Sequence, residues 1–313
     1  MGGESSGESK GGSTRTVVVA VVANLVIAVA KTFAALLTGS ASMWAEAAHS
    51  VADTGNELLL FVGLRRSTRP PDAERPFGYG QERFFWAFLA ALGIFLVGGV
   101  LSIGEGIRSM LLPEPLDSLW IGVGVLVVAA VFEGYSWHTA RRQLRGEARD
   151  RDRSMVEHLA RASDPSATTV FLEDTAALIG LAVALAALLL HALTGWAGWD
   201  AIGSVVIGTL LIVVAALLAR RCKSLLLEES APSDVLEPIR ERVNRAGWVG
   251  ELTELHAVYV GPSDLLINLW ITPSPAGLDA TAGELVEHVG RLRGDLMADP
   301  VVAQVTVTLT DGG

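Results

Sequence analysis

The sequence predicts an α-helical membrane protein with six transmembrane helices followed by a small cytoplasmic α+β domain, and three observations lead to this prediction. Half of the 313 residues are hydrophobic, and the mean hydropathy is +0.43. Charged residues make up 19%, against about 25% in soluble domains, and they lie between long apolar runs. After Lys223 the apolar runs give way to shorter patterns typical of helices and strands.

Six apolar segments are long enough to cross the hydrocarbon layer, which takes about 20 helical residues. Residues 1–15, rich in glycine and serine, predict a disordered tail, residues 16–223 a transmembrane domain and residues 224–313 a C-terminal domain. We place the six segments at residues 16–37, 41–64, 84–111, 118–140, 168–193 and 200–220.

The distribution of basic residues predicts the orientation. The loops TGSAS, LLPEPLDS and HALTGWAGWD carry no lysine or arginine, whereas the loops after the second, fourth and sixth segments are rich in arginine. By the positive-inside rule both termini are expected in the cytoplasm, and the arginine-rich loops are expected to face lipid headgroups. The N-terminus has the pattern of neither an organelle transit peptide nor a cleavable signal, so we expect a bacterial plasma membrane.

The C-terminal segment predicts a small α+β layer. PSDVLEPIRERVNRAG suits a helix, LTELHAVYV and DLLINLWIT suit strands, TAGELVEHVGRLRGDLM suits a second helix, and VVAQVTVTL suits a last strand. This order places helices on one face of a sheet. The single Cys222 excludes an intramolecular disulfide and a cysteine-rich zinc site, and a net charge of −10 argues against a nucleic-acid partner.

One apolar segment carries four ionisable residues. WAEAAHSVADTGNELLLF contains Glu46, His49, Asp53 and Glu57, at spacings that place all four on one face of a helix. Ionisable side chains are costly in a bilayer, where they face a partner or a pathway for ions. This stripe is therefore the first candidate for a functional site.

The chemistry of His49 and Asp53 favours a metal site. Imidazole nitrogen and carboxylate oxygen one helical turn apart suit zinc or a neighbouring first-row divalent metal. Two ligands cannot hold a tetrahedral ion, so further ligands must come from another helix. The fifth segment offers Glu173 and Asp174. Because adjacent residues on a helix diverge by about 100°, we expect only one of these two to point at the ion. A proton relay without metal stays open at this point. A zinc protease does not fit, because Glu46-Ala-Ala-His49 lacks the first histidine of His-Glu-x-x-His.

Longer motifs carry a family resemblance. EAAHSVADTGNELLLFVGL, preceded by TGSASMWA and followed by RPFGYGQERFFWAFLAALGIFLVGG and EGI, closely resembles the cation diffusion facilitator family. FLEDTAAL together with HSVAD is most similar to the branch that contains the mitochondrial zinc exporter. The resemblance implies a homodimer of six-helix protomers with a ferredoxin-like domain. It also implies a transporter rather than an enzyme, with no prosthetic group, that exchanges a divalent cation, foremost zinc, for protons.

The family's transport site maps only partly onto this sequence. His49 and Asp53 match the ligand pair of the second helix, and Asp174 matches one ligand of the fifth helix. The other ligand position there falls on Val170, which cannot bind metal, so Glu173 or water would have to complete the shell. Selectivity for manganese, iron or cobalt, and a sensor or scaffold that binds metal without moving it, stay open.

The resemblance leaves other polar residues in secondary roles. Glu46 and Glu57 match no ligand of the family and are expected to pair with other residues or to line the pathway. In helix one, Asn24 is expected to form an interhelical hydrogen bond. Lys31 is expected to snorkel or to pair with an acid. Two further metal sites of the family are expected to be lost. The site in the loop after the second helix falls on Asp72, Arg75 and Tyr79, of which two cannot serve as its ligands. The site in the C-terminal domain keeps His256 as its sole candidate ligand.

Overall fold

The apolar part of the chain folds into long helices in the computed structural model, which describes residues 8–113, 118–150, 154–156, 159, 165–262 and 264–310. Each predicted segment corresponds to one helix or, for the third, to two α-helices joined by a π-helical stretch. The elements are α1 (Glu8–Thr38), α2 (Ala41–Ser67), α3 (Glu82–Gly93), the π-helical stretch (Ile94–Val100), α4 (Leu101–Leu111), α5 (Leu119–Asp150), α6 (Pro165–Thr194) and α7 (Gly198–Leu226).

The C-terminal segment has the predicted order of helices and strands. Its elements are α8 (Ser233–Asn244), β1 (Val249–Gly261), β2 (Asp264–Pro273), a short α9 (Pro275–Leu278), α10 (Ala282–Met297) and β3 (Val302–Leu309). β1 pairs antiparallel with β2, and β2 pairs parallel with β3 after the α10 crossover. α10 begins at a capping box in which Thr281 and Glu284 satisfy each other's backbone N–H groups.

The start of α1 differs from the sequence-based expectation. The helix begins at Glu8, so residues 8–15 are helical although their composition predicts disorder; the first seven residues of the predicted tail lie outside the described residues. The physical reason is continuity, since an apolar helix that is already nucleated extends at the cost of fixing one residue for each added hydrogen bond.

Contacts between residues divide the chain into two units, which we name the helical unit and the sheet unit. The helical unit comprises the described residues of Met1–Arg65 and Phe85–Cys222, and the sheet unit comprises Arg66–Phe84 and the described residues of Lys223–Gly313. The sheet unit packs around β2, whose alternate residues are almost completely buried, as period-2 alternation requires. Those residues are Leu265, Ile267, Leu269 and Ile271.

Within the described residues, four helical stretches are long and apolar enough to cross a membrane, against the six that the sequence predicts. They are Glu82–Leu111, Leu119–Arg149, Thr168–Thr194 and Gly198–Leu226. In α1 the described apolar stretch is Asn24–Thr38, which is shorter than a span. α2 falls short because its polar stripe and its C-terminal arginines lower its hydropathy. The helical, membrane-type architecture is confirmed, and the count of six spans is taken up below as a proposal.

Close packing of two helix backbones explains the small residues of the third segment. A Cβ on Gly208 of α7 would lie 2.8 Å from the carbonyl oxygen of Gly99, and one on Gly106 would lie 2.8 Å from that of Ala201. These distances are far below van der Waals contact, so only glycine permits the approach. Small residues serve the same purpose in other membrane helix pairs.

Candidate metal centre

His49 and Asp53 lie next to each other on α2, as their spacing predicts. His49 Nδ1 is 3.5 Å from Asp53 Oδ1, and the side chains are 1% and 14% exposed. Both ring nitrogens of His49 and Asp53 Oδ1 are buried and have no hydrogen-bond partner among the described residues. A buried polar group without a partner costs about 1–3 kcal/mol, and these atoms are the donor types that bind divalent metals. The pair therefore has the chemistry of one half of a metal site.

The two carboxylates of α6 contact different neighbours. Both oxygens of Glu173 accept hydrogen bonds from Asn56 Nδ2 on α2, at 2.6 and 2.5 Å. Asp174 Oδ2 accepts a hydrogen bond from Ser136 Oγ on α5, at 2.7 Å. The expected divergence of adjacent helix residues is thus confirmed. Glu173 has both oxygens engaged, whereas Asp174 has one.

α6 runs beside α2 at the level of the histidine-aspartate pair. A Cβ on Gly180 of α6 would overlap the Glu46 carboxylate, and Asn56 bonds Glu173 further along. Glu46 and Asn56 lie on either side of the pair along α2. Asp53 is also within electrostatic range of both α6 carboxylates. α6 is therefore the neighbour that can supply further oxygen ligands to this pair.

The structure does not gather the four predicted ligands into one cluster. Within the described ranges, no group of three or more His, Cys, Asp and Glu side chains is arranged to hold a metal ion. The α6 carboxylates turn towards Asn56 and Ser136 because a buried carboxylate is stabilised by each hydrogen bond it accepts. Val170 is a half-buried apolar residue. The geometry thus shows a preformed pair with two acidic side chains nearby.

Glu46 belongs to a buried ion-pair cluster. Lys31 Nζ on α1 donates to Glu46 Oε2 at 3.0 Å and lies 3.9 Å from Glu133 Oε1 on α5. Lys31 and Glu46 are fully buried. Lys31 thus pairs with an acid in this structure, and the partner of Glu46 comes from outside its own helix. This cluster ties α1, α2 and α5 together directly next to His49.

Glu57 and Asn24 form a second interhelical contact. Asn24 Nδ2 on α1 donates to Glu57 Oε1 at 2.7 Å, while Glu57 Oε2 is buried and finds no partner among the residues described. Asn24 thus forms a hydrogen bond between α1 and α2. The four residues of the α2 stripe therefore divide into a metal-type pair and two acids held by α1.

Asp200 is a buried residue that the sequence does not single out. It lies in the first turn of α7 and accepts four hydrogen bonds from the start of α2. Ser40 Oγ donates at 2.6 Å, Ala41 N at 2.5 Å and Ser42 N at 3.2 Å; the fourth donor is Ser42 Oγ. A carboxylate that binds free N–H groups at a helix N-terminus caps that helix. The signal was the motif Ser-Ala-Ser, whose capping partner only the tertiary fold reveals.

Asp72 is used to shape its loop in the sheet unit. Tyr79 Oη donates to Asp72 Oδ2 at 2.7 Å, and the backbone N–H of Arg75 donates to Asp72 Oδ1 at 2.8 Å. These hydrogen bonds, first of all the one from Tyr79, hold the pKa of Asp72 below its usual value. The residues that stand at the family's loop site thus hydrogen-bond one another.

The histidines of the sheet unit lie apart from each other. His256 is on β1, with its ring 4.9 Å from that of Trp270 and Nε2 3.5 Å from Glu254 Oε2. His288 is on α10 and contacts the ring of Trp248. A single histidine beside an exposed carboxylate does not make a structural metal site.

Comparisons with known proteins agree with the motifs. A family model described as the cation efflux transmembrane domain matches residues 17–227. The proton-coupled zinc antiporter SLC30A9, mitochondrial, of Xenopus laevis is 34% identical over 252 residues, covering 80% of this chain and 45% of its own length. The human protein of that name is 33% identical over 250 residues, covering 80% and 44%. Metal tolerance protein C4 of Arabidopsis thaliana is 31% identical over 250 residues, covering 80% and 55%. The chain thus spans about half the length of these relatives.

The prediction of a bacterial plasma membrane is wrong. The relatives that are 33–34% identical over 80% of the chain are mitochondrial proteins of eukaryotes. That prediction rested on the missing pattern of a transit peptide, and a missing pattern carries little information about the compartment. The membrane character is unaffected, since it follows from the apolar helices. The family model matches more than half of the residues of this chain, which establishes that the chain belongs to the cation efflux, or cation diffusion facilitator, family.

Proposed function

We propose that the protein transports a divalent metal cation, foremost zinc, across a membrane in exchange for protons. The observation that carries this proposal is the buried pair of His49 and Asp53, in which three metal-type atoms have no hydrogen-bond partner in the described part of the chain. The names of the relatives, which include proton-coupled zinc antiporters, support both the ion and the coupling. Intramembrane ionisable residues mark ion pathways in other membrane proteins.

The proposed ligands are His49 and Asp53 from α2 and Asp174 from α6, with Glu173 as the alternative α6 ligand. Asp174 is favoured because, among the residues that the structure describes, one of its oxygens accepts a hydrogen bond, from Ser136, whereas both oxygens of Glu173 accept from Asn56. If Asp174 rotates towards the ion, it loses one hydrogen bond, which comes from the uncharged hydroxyl of Ser136. Zinc takes four ligands in most sites, so water or Glu173 would complete the shell.

Proton exchange follows from competition for the same atoms. Histidine and carboxylate bind a metal only when deprotonated, so metal binding releases protons. A proton arriving from the opposite side of the membrane then competes with the metal for His49 and Asp53. Alternate exposure of the pair to the two sides converts this competition into exchange.

We propose six membrane-crossing helices, built from α1, α2, the α3–α4 segment, α5, α6 and α7. α1 supports this count because it exposes an apolar stripe at helical spacing while it buries Lys31 on its other side. That stripe is Val26, Val29, Phe33 and Leu36. The domain boundaries would be residues 1–15, 16–223 and 224–313. By the family resemblance we propose a homodimer in contact with membrane lipids.

Metal flux into sealed proteoliposomes tests the transport proposal. Zinc uptake should depend on the protein and should rise when the vesicle interior is more acidic than the outside, because protons that leave the vesicle then drive zinc inward. Asp53→Asn should abolish this uptake, while Glu105→Gln should not, because Glu105 is a carboxylate of the helical unit that pairs with Arg108 at 2.7 Å instead. The same measurement with manganese, cobalt, cadmium and iron gives the selectivity. Zinc binding without protein-dependent flux would overturn the proposal in favour of a metal sensor or scaffold.

Three α6 variants test the ligand assignment. Asp174→Ala should reduce zinc flux more than Glu173→Ala, and the reverse ranking would make Glu173 the ligand. Val170→His places an imidazole at the family's missing position, and it should raise zinc affinity by roughly tenfold or more if α6 faces the ion. Unchanged affinity would remove α6 from the metal shell.

A further inference from the structure

The sheet unit contains a cavity with an unusual concentration of arginine. Its volume is about 580 Å³, and it lies where the end of α8 and the following turn face α10. Arg242, Arg245 and Arg291 line it together with His288, and Asp295 is its one acidic lining residue within the described part of the chain. Pockets for small ligands commonly measure about 300–1,000 Å³, so the cavity is large enough for a small anion and its water.

The cavity is lined by positively charged residues, whereas the segment around it is acidic. Residues 224–313 contain fourteen acidic residues, five arginines and no lysine. Three of those five arginines line the cavity. Like charges repel one another, so the grouping of most cationic residues of an acidic segment around one cavity marks that cavity as a candidate site for an anion.

The ion pairs of the lining arginines leave the cavity itself positive. Arg245 bonds Glu241 at 2.8 Å, and Arg291 lies 3.8 Å from Glu287. Neither glutamate lines the cavity. Arg242 is half-buried, and no ion pair or hydrogen bond of its side chain is found among the described residues. A half-buried guanidinium without an anion is stabilised by any anion that reaches it.

The wall behind these arginines is part of the core of the sheet unit. Trp248 is 7% exposed and belongs to the core of the sheet unit, and the His288 ring packs edge-on against it with 5.8 Å between centroids. Leu292 of the same core completes the wall. The His288 imidazole packs against this core wall, and its N–H can donate beside the guanidinium groups. Guanidinium forks match phosphate oxygens in geometry.

We propose that this cavity binds a phosphate-bearing anion, with Arg242 as the central contact and with Arg245, Arg291 and His288 around it. Inorganic phosphate and the phosphate of a lipid headgroup share the required chemistry. The site is separate from the metal pair and stands whether or not the transport proposal does.

The test uses the full-length protein in detergent, in metal-free buffer of low ionic strength, titrated with inorganic phosphate in a calorimeter. We expect saturable binding that Arg242→Gln weakens at least tenfold. Arg240→Gln is the matched control, because Arg240 is on the same helix but faces Glu237 outside the cavity; it should change the Kd less than twofold. Arg242→Lys keeps the charge and should retain part of the affinity, which separates loss of the anion contact from loss of the fold.

A second arm distinguishes the source of the phosphate. The wild type and Arg242→Gln are placed in nanodiscs of phosphatidylcholine alone and with phosphatidic acid, and the retained lipid is quantified. Retention of phosphatidic acid that Arg242→Gln abolishes would assign the site to a headgroup, even if free phosphate does not bind. Free phosphate binding without lipid retention would assign it to a soluble anion. Absence of both, or binding that Arg242→Gln leaves unchanged, would overturn the proposal.

Discussion

Two buried polar clusters of the helical unit, both on α2, differ in how far their hydrogen bonds are satisfied. At the start of the helix Asp200 accepts four hydrogen bonds. About two turns further on, His49 and Asp53 leave three buried polar atoms without partners among the described residues. A satisfied cluster lowers the energy of one arrangement, whereas an unsatisfied one is stabilised only when a ligand arrives. The first therefore has the properties of an anchor and the second those of a binding site.

The difference also assigns a mechanical role to each end of α2. The capped end is fixed to α7, and Ser204 of α7 in turn donates to the Ser102 carbonyl oxygen on α4 at 2.7 Å. The metal-type pair lies in the part of α2 that follows this anchor. Beyond the pair, Asn56 bonds Glu173 and Glu57 accepts from Asn24, and these are the contacts that would have to change for the proposed alternate exposure of the pair to the two sides of the membrane.

The largest expected effect comes from the unsatisfied pair. His49→Leu should reduce zinc flux at least about 100-fold, because loss of even an outer-shell metal partner costs roughly 10–100-fold. It should leave the thermal stability of the metal-free protein unchanged or higher, since a buried group without partners is replaced by an apolar one. Flux and thermal unfolding in detergent are measured on the same preparation. A large fall in stability would place His49 with the structural residues.

The satisfied cluster should respond in the opposite way. Asp200→Ala leaves several buried donors unpaired and should lower the free energy of unfolding by about 4 kcal/mol. The measurement is thermal or denaturant unfolding of the detergent-solubilised protein. Thr209→Ala is the control. Thr209 is on the same helix, is exposed, and donates to the Val205 carbonyl oxygen of that helix. A stable Asp200→Ala protein with lost flux would mean that Asp200 acts in transport rather than as an anchor.

The expected effect on stability is intermediate for the ion pair of Lys31 and Glu46. Lys31→Met leaves Glu46 buried and unpaired and should cost about 3 kcal/mol, whereas Lys31→Met with Glu46→Gln should recover most of that loss. The difference between single and double variants, measured by unfolding, gives the coupling of the two residues. Equal destabilisation of both variants would show that the pair contributes little and that packing of the lysine stem matters instead.

Much of this comparison could be predicted from the sequence. The spacing of Glu46, His49, Asp53 and Glu57 is a periodic signal, so it placed all four on one helix face correctly. The order of strands and helices after Lys223 was equally readable, because alternation and capping residues are local. Asp200 could not be found in this way, since its donors lie about 160 residues earlier and only tertiary packing brings them together.

The division of the stripe was also beyond the sequence. The four residues share a face, yet Glu46 and Glu57 contact α1, through Lys31 and Asn24, while His49 and Asp53 contact neither. Which polar residue meets which helix depends on the angle and height at which helices cross, and periodicity carries no information on either. The same applies to the α6 carboxylates, whose partners Asn56 and Ser136 lie on two different helices.

The smallest expected effect concerns Asn24 and Glu57. Asn24→Leu removes one interhelical hydrogen bond and should cost about 0.6 kcal/mol, the average measured for such bonds in membrane proteins. Zinc flux should stay within about threefold of the wild type, because a free-energy loss of about 0.6 kcal/mol changes an equilibrium by less than about threefold. Glu57→Gln is the companion variant, since an amide oxygen still accepts the bond from Asn24. If Glu57→Gln is stable but transports zinc poorly, the free Glu57 Oε2 belongs with the unsatisfied atoms of His49 and Asp53, and the binding region extends one turn further along α2.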